Sequence, residues 1–197
     1  MCLLTILLFA LVTVSRADDF REATTGILFP SNCATWTRIR VNEDSRKEVG
    51  VSVGYSDEYG TTITCRIFEG QFGPARNDPD AIRKEMEAIS SGIVKIWTSM
   101  GYSVEMALPI GPIPSDSEQF AMLHRIMRAD ECNVSITLFR FHENRYISFR
   151  FTTLEQDTTE AFNDFGRFLV ALSAAKRNEE PNNPVQETPA KAADPDL

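Results

Sequence analysis

Histidine is scarce, cysteine is sparse, and no long basic run occurs in the 197-residue chain. With only two histidines, His124 and His142, and no H-E-x-x-H, the sequence offers no metal-ligating pattern. The absence of C-x-x-C excludes a zinc knuckle and a thioredoxin-like motif. There is no G-x-S-x-G, no Gly-rich phosphate loop and no EF-hand, and hence no motif that calls for a cofactor. The formal net charge is −8. Neutralising a phosphate backbone requires dense Lys and Arg, so the balance argues against nucleic acid and anionic lipid as partners.

What is present begins with residues 3–14, LLTILLFALVTV, which are almost wholly apolar and too short to span a bilayer comfortably. Ser15-Arg16-Ala17 places small residues at the −3 and −1 positions of a cleavage site, so residues 1–17 read as a secretory signal peptide. No Lys or Arg precedes the apolar run, and an uncleaved N-terminal anchor is the alternative. Removing residues 1–17 takes away only Arg16, leaving 19 basic against 28 acidic residues. The expected location is periplasmic or secreted, with no membrane span after cleavage. Cys33, Cys65 and Cys132 then remain, in a compartment that permits disulfides. Cys65, between Ile63 and Ile67 on an apolar strand face, reads as a buried thiol. Cys33 and Cys132 are the expected pair.

The clearest pattern runs from Asn133 to Lys176. Val134, Ile136 and Leu138 alternate with polar residues, and Ile147, Phe149 and Phe151 do the same after the polar turn His142-Glu143-Asn144-Arg145. Centring the turn on Glu143-Asn144 sets Ile136 opposite Phe151 and Leu138 opposite Phe149. Asp157 to Glu160 has capping-box spacing and opens a helix with Phe162, Phe165, Leu169 and Leu172 at helical intervals. The strand-start sequon Asn133-Val134-Ser135 is a glycosylation acceptor pattern.

Upstream, Gly26–Pro30 reads as a short edge segment and Trp36–Val41 as a strand. Val49, Val51, Val53 and Tyr55 form a hairpin face with Ile63, Cys65 and Ile67; the glycines opposite permit close packing or mark a bulge. Asp78 as N-cap and Pro79 at the first helical position start a helix carrying Ile82, Met86, Ile89, Ile93, Ile96 and Met100, closed by Gly101. Tyr102–Ala107 reads as a brief strand. Three prolines and a glycine make Leu108–Pro114 a loop. Gln119–Arg128 is apolar on both parities, which predicts a strand covered on both faces. From residue 177 the chain is polar, acidic and proline-rich without periodicity, and reads as a disordered tail.

The reading is therefore one α+β domain over residues 18–176: an antiparallel sheet of about six strands with two main helices, arranged as an αβα sandwich. The element order over about residues 36–176, with a long helix after the first hairpin and another at the C-terminus, resembles the PsbP/Mog1-like domains. The resemblance implies an architecture and carries no functional residues.

The face of the 133–153 hairpin opposite Leu138 and Phe149 carries Phe139, Phe141 and Tyr146 together with Arg150. If both helices shared one sheet face, these four residues would form a partner-binding surface; with one helix per face the rings are core. Arg125, Arg128, Arg140, Arg145 and Arg150 crowd the last strands. They are expected to make cross-strand pairs with the abundant carboxylates, the alternative being an anion-binding patch. No catalytic set emerges. The expected function is an exported, non-catalytic binding or envelope accessory module, its partner a protein or other envelope component that the sequence does not identify. The alternative is a hydrolytic enzyme using His142 or His124 with a carboxylate. The cleavage reading predicts a secreted form beginning at Asp18. N-terminal sequencing checks this, and intact Met1 in a membrane fraction would refute it.

Overall fold

The computed structural model describes residues 18–72, 78–113, 116–129, 131–142, 144–154 and 158–179. The leader, the Asp157 cap and the chain from 180 onward lie outside the described residues. Twelve elements follow in order: β1 (Phe20–Arg21), β2 (Leu28–Phe29), β3 (Asn32–Cys33), β4 (Trp36–Glu43), β5 (Val51–Ser56), β6 (Thr62–Phe68), α1 (Pro79–Ser99), β7 (Ser103–Ile113), β8 (Asp116–Arg128), β9 (Glu131–His142), β10 (Arg145–Thr153) and α2 (Thr158–Glu179). β1 and β2 pair as a small ribbon. The other eight strands form one antiparallel sheet in the order β3-β4-β5-β6-β10-β9-β8-β7. The sheet has eight strands, more than the six expected, with β3 extending one edge and β7 forming the other.

The β9–β10 hairpin has the expected register: Ile136 opposite Phe151, Leu138 opposite Phe149, and Phe141 opposite Tyr146. Asn144 takes the left-handed φ of 64° that a tight hairpin turn demands. β6 then pairs with the free edge of β10, Cys65 opposite Phe149 and Ile63 opposite Phe151, which joins the two hairpins into one sheet.

One helix lies on each face. Beneath α2, Phe165, Phe168 and Leu172 pack on Val53, Tyr55, Ile63, Cys65, Phe149 and Phe151. Phe168 is the hub, meeting Trp36 edge-on at 5.7 Å and Tyr55 at 5.2 Å. The apolar stripe expected on this helix is out of phase by part of a turn: Ala161, Phe165, Phe168 and Leu172 are buried, while Phe162 is 40% exposed. Ala161 takes the core position because the helix axis is set by Phe168.

Beneath α1, Ile82, Met86 and Ile93 cover Phe68, Met122, Phe139 and Tyr146. The helix starts and stops as expected. The Asp78 carboxylate accepts from the Asp80 and Ala81 amides, and Gly101, at φ 86°, allows Gly101 N–H to bond Thr98 O and Tyr102 N–H to bond Trp97 O. Its last turn overhangs the sheet, so Ile96 and Met100 are exposed and do not join the stripe. Gly70 packs against the same core. At φ 84°, an added Cβ would come within 2.3 Å of the Tyr146 ring, so only glycine fits.

Two expectations are corrected. Leu108–Ile113 is not a loop but the second half of β7, an edge strand whose register shifts repeatedly against β8. An edge strand has one side that needs no ladder donor, and bulges absorb the prolines. The Cys33–Cys132 disulfide is also absent: Cys33, Cys65 and Cys132 are all free. Cys33 sits on the β3 edge and Cys132 on β9, five strand positions away. At about 4.8 Å per strand this is about 24 Å, far beyond a disulfide's Cα reach of about 7 Å. Burial instead pushes the Cys33 thiol up to about 11. Asn133 is buried, so a glycan at its sequon would have to displace packed chain.

Truncating a ring under α1 should be costly. Phe139→Ala is expected to lose about 3–5 kcal/mol, whereas Phe162→Ala, on the solvent side of α2, should change stability by only about 0.5 kcal/mol. Urea unfolding of the two variants checks both.

Candidate functional site

Phe139 and Tyr146 are fully buried, 5.0 Å apart, and Phe141 stacks edge-on against Tyr146 at 5.3 Å while remaining half-buried. The five arginines of the last strands do not form one patch. Arg145 pairs with Glu69 at 3.1 Å. Arg128 lies over the Tyr102 ring and Arg140 over Phe149. Arg150, on the α1 face, is brought together with arginines from quite different parts of the chain.

The histidines are parted by the sheet. His124 points under α1, fully buried, with Nε2 2.8 Å from the Ser90 hydroxyl; its Nδ1 has no hydrogen-bond partner among the described residues. A serine and an imidazole in contact suggest nucleophile and base, but Ser90 is itself buried and no carboxylate orients the ring. His142 lies on the α2 side, at a recess of about 380 Å³ lined by Leu28, Leu138, Arg140, Phe149 and Leu169 among others. Among the described residues, no carboxylate lines that recess.

The arrangement with the most chemistry is one that sequence reading missed. The α1 core draws on β6 to β10, and none of its buried residues comes from β4 or β5. The half of this face left beside the helix is polar. Following the strand pairing across it, one row reads Arg40, Gly54, Thr64, Arg150, Thr137, and the next reads Ser52, Arg66, Ser148. Gly54 makes room for Arg40. A Cβ at position 54 would lie 2.7 Å from Arg40 Nε and 2.8 Å from its Cγ, so the arginine lies directly across the glycine. Of the two glycines where the sequence allows close packing or a bulge, Gly54 is packed by a cation and Gly50 by the Ile67 backbone.

Arg40, Arg66 and Arg150 share this trough. Burial first, then the Arg66 and Arg40 charges, hold Arg150 below the usual guanidinium value. Burial also lowers Arg66, opposed by Glu85, whose Oε1 already accepts the Gln71 and Phe72 amides. Arg66 spends one N–H on Val49 O at 3.4 Å. Among the described residues, the guanidinium groups of Arg40 and Arg150 have no carboxylate or hydrogen-bond acceptor. The Thr137 hydroxyl, opposite Arg150 on β9, is buried and has no partner either. The signal for this site was in the sequence only as a run of small and hydroxylic residues opposite the apolar hairpin face. Nothing there joined Arg40 to Arg150.

The same field reaches His124. Burial and then Arg150 hold its imidazole below the ordinary 6.5. A depressed folded value means that the unfolded chain takes up the proton first. The resulting stability is present above about pH 6.5 and is lost as pH falls through the folded value. The expected outcome is a midpoint that drops between pH 7 and 5 in the wild type and less in His124→Gln. In Arg150→Ala, the His124 titration followed by NMR should move upward. A His124 midpoint at or above 6.5 in the wild type would refute the assignment.

No protein-family model matches the chain, and no curated protein matches its sequence. Among solved structures, the fold is similar to that of cyanobacterial PsbP (CyanoP) from Synechocystis sp. PCC 6803, in solution. The TM-score is 0.51, over 78% of this chain and 89% of that one, at 12% identity. At that identity the likeness is one of fold, and it bears out the PsbP-like architecture read from the element order.

Proposed function

We propose that the chain is an exported, non-catalytic binding module that holds an anionic group of its partner in the trough of Arg40, Arg66 and Arg150. The observation that carries this reading is the half-buried Arg150, which feels two like charges and, among the described residues, has no acceptor of its own. Burying a cation without a counter-charge is unfavourable, and placing it against two others adds repulsion. In a chain with net charge −8, carboxylates are abundant, and cross-strand pairing with them is the ordinary outcome. An arginine kept away from them is better explained by an outside anion. The aromatic residues Phe139, Phe141 and Tyr146 then build the wall on which this surface rests, and Arg150 contacts the partner. The PsbP-like fold supports an accessory role, and the apolar leader supports export to the periplasm or beyond.

The reading is tested by thermal unfolding with inorganic phosphate and with citrate, each at constant ionic strength, taking whichever anion gives the larger shift. A ligand at about a hundred times its Kd stabilises by about 2.7 kcal/mol, a shift of several degrees for a domain of this size. Wild type should show it, and Arg66→Ala/Arg150→Ala should not. An equal shift in both proteins, or none in either, overturns the proposal.

A further inference from the structure

The number and placement of the arginines narrow the class of anion. We infer that the trough is built for a tetrahedral oxyanion of the phosphate-monoester class and not for a carboxylate. This inference rests on the binding reading above and specifies its ligand.

The argument is one of charge and donor count. A carboxylate is planar, carries one negative charge and is matched by a single guanidinium fork through two parallel hydrogen bonds. One arginine is enough for it. Here three strands, β4, β6 and β10, each send a guanidinium to one half-face. A single negative charge among three cations would leave most of their repulsion in place. A phosphate monoester near neutral pH carries about −1.5 to −2 and three terminal acceptor oxygens, so it offsets most of the repulsion and offers an oxygen to each strand. The floor suits the same ligand. Thr64, Ser52 and Ser148 alternate with the arginines in the two rows, and hydroxyls donate to oxyanions without adding charge.

The positions of the three side chains are complementary. Arg40 is exposed and lies across Gly54, while Arg66 and Arg150 are half-buried on β6 and β10, the Arg66 guanidinium resting over the Phe68 ring at 5.0 Å. A bound oxyanion would thus meet two arginines held by the sheet and one that closes from the rim. Glycine at position 54 is what allows that closure, since any side chain there would displace Arg40.

The exposed member, Arg40, gives a clean test. Arg40→Ala removes no core contact, and Gly54→Val displaces Arg40 without removing its charge. Isothermal titration of the full mature chain with glycerol 3-phosphate, inorganic phosphate and succinate, at matched ionic strength, reads the preference. Both phosphates are expected to bind at least about tenfold more tightly than succinate, one such factor being 1.4 kcal/mol. Arg40→Ala and Arg150→Ala should each lose about tenfold or more, and Gly54→Val should weaken phosphate in the same direction. Co-sedimentation with vesicles containing phosphatidic acid separates the sources. Vesicle binding competed by glycerol 3-phosphate assigns a lipid headgroup, and binding of the soluble esters alone assigns a soluble one. Succinate binding as tightly as phosphate would overturn this inference while leaving an anion-binding module intact. No binding by any of the three would overturn both. Phosphate binding unaffected by Arg40→Ala and Arg150→Ala would place the anion elsewhere and overturn the inference as well.

Discussion

The register of the β9–β10 hairpin is the constraint on which the remaining structure depends. With Leu138 set against Phe149 and Phe141 against Tyr146, two apolar sets point to opposite faces of the same two strands. A slip of one residue in β9 would send Phe139 and Phe141 into the α2 core and Leu138 under α1, while Phe149 and Tyr146 of β10 kept their faces. Neither helix would then find the surface its own side chains fit. The hairpin is also the join between the halves of the sheet, since β6 pairs with β10 and β8 with β9. Its register is therefore transmitted to the neighbouring strands, and with it the face on which Arg150 and Arg66 emerge.

From that register follows an uneven division of labour between the two faces. The α2 side collects apolar residues from β2 to β6 and from β8 to β10, so its core runs across the sheet from β3 to β8. The α1 side is filled only where β6 to β10 supply aromatic and aliphatic rows. Across β4 and β5 the same parity carries Arg40, Ser52 and Gly54, which offer no apolar area for a helix to bury. A single helix is enough for half a sheet, and the remainder is left for something polar. The edges show a related economy of constraint. Among the described strands, prolines occur only in β7, where one row of backbone groups needs no ladder partner, and β3 is only two residues long.

Net charge and local field point in opposite directions here. Averaged over the chain the protein is acidic, and an anion approaching from a distance meets that average, screened over roughly 8–10 Å of salt solution. Inside the trough the near charges dominate: three guanidiniums, with Glu85 turned to the Gln71 and Phe72 amides. Arg150 and His124 are both held low first by burial and then by neighbouring arginine charges, so the local field adds to desolvation at the cation and at an imidazole two strands away. Association would be slowed by the overall charge and retained by the local one, which suits selective binding better than broad attraction to polyanions.

Where side-chain alternation and capping chemistry act over a few residues, the chain could be read directly. The hairpin pairing of Ile136 with Phe151, the Asp78–Pro79 start and Gly101 stop of α1, and the two-helix α+β order are local patterns of that kind, and they were legible. So was the burial of Cys65. The pairing of Cys33 with Cys132 was not, because a disulfide depends on where two strands end up in the sheet, and four strands lie between β3 and β9. The proline segment was misread because edge or interior is a property of the sheet and not of the strand. The phase of α2 was set by the site that Phe168 fills between Trp36 and Tyr55, residues more than a hundred positions upstream. The trough is the extreme case. Arg40, Arg66 and Arg150 belong to three strands, and only strand order across β4, β5, β6 and β10 makes them neighbours. Local periodicity determined which residues face together along each strand; long-range pairing alone decided which strands stand side by side, because a strand's own sequence encodes its faces but not its neighbours.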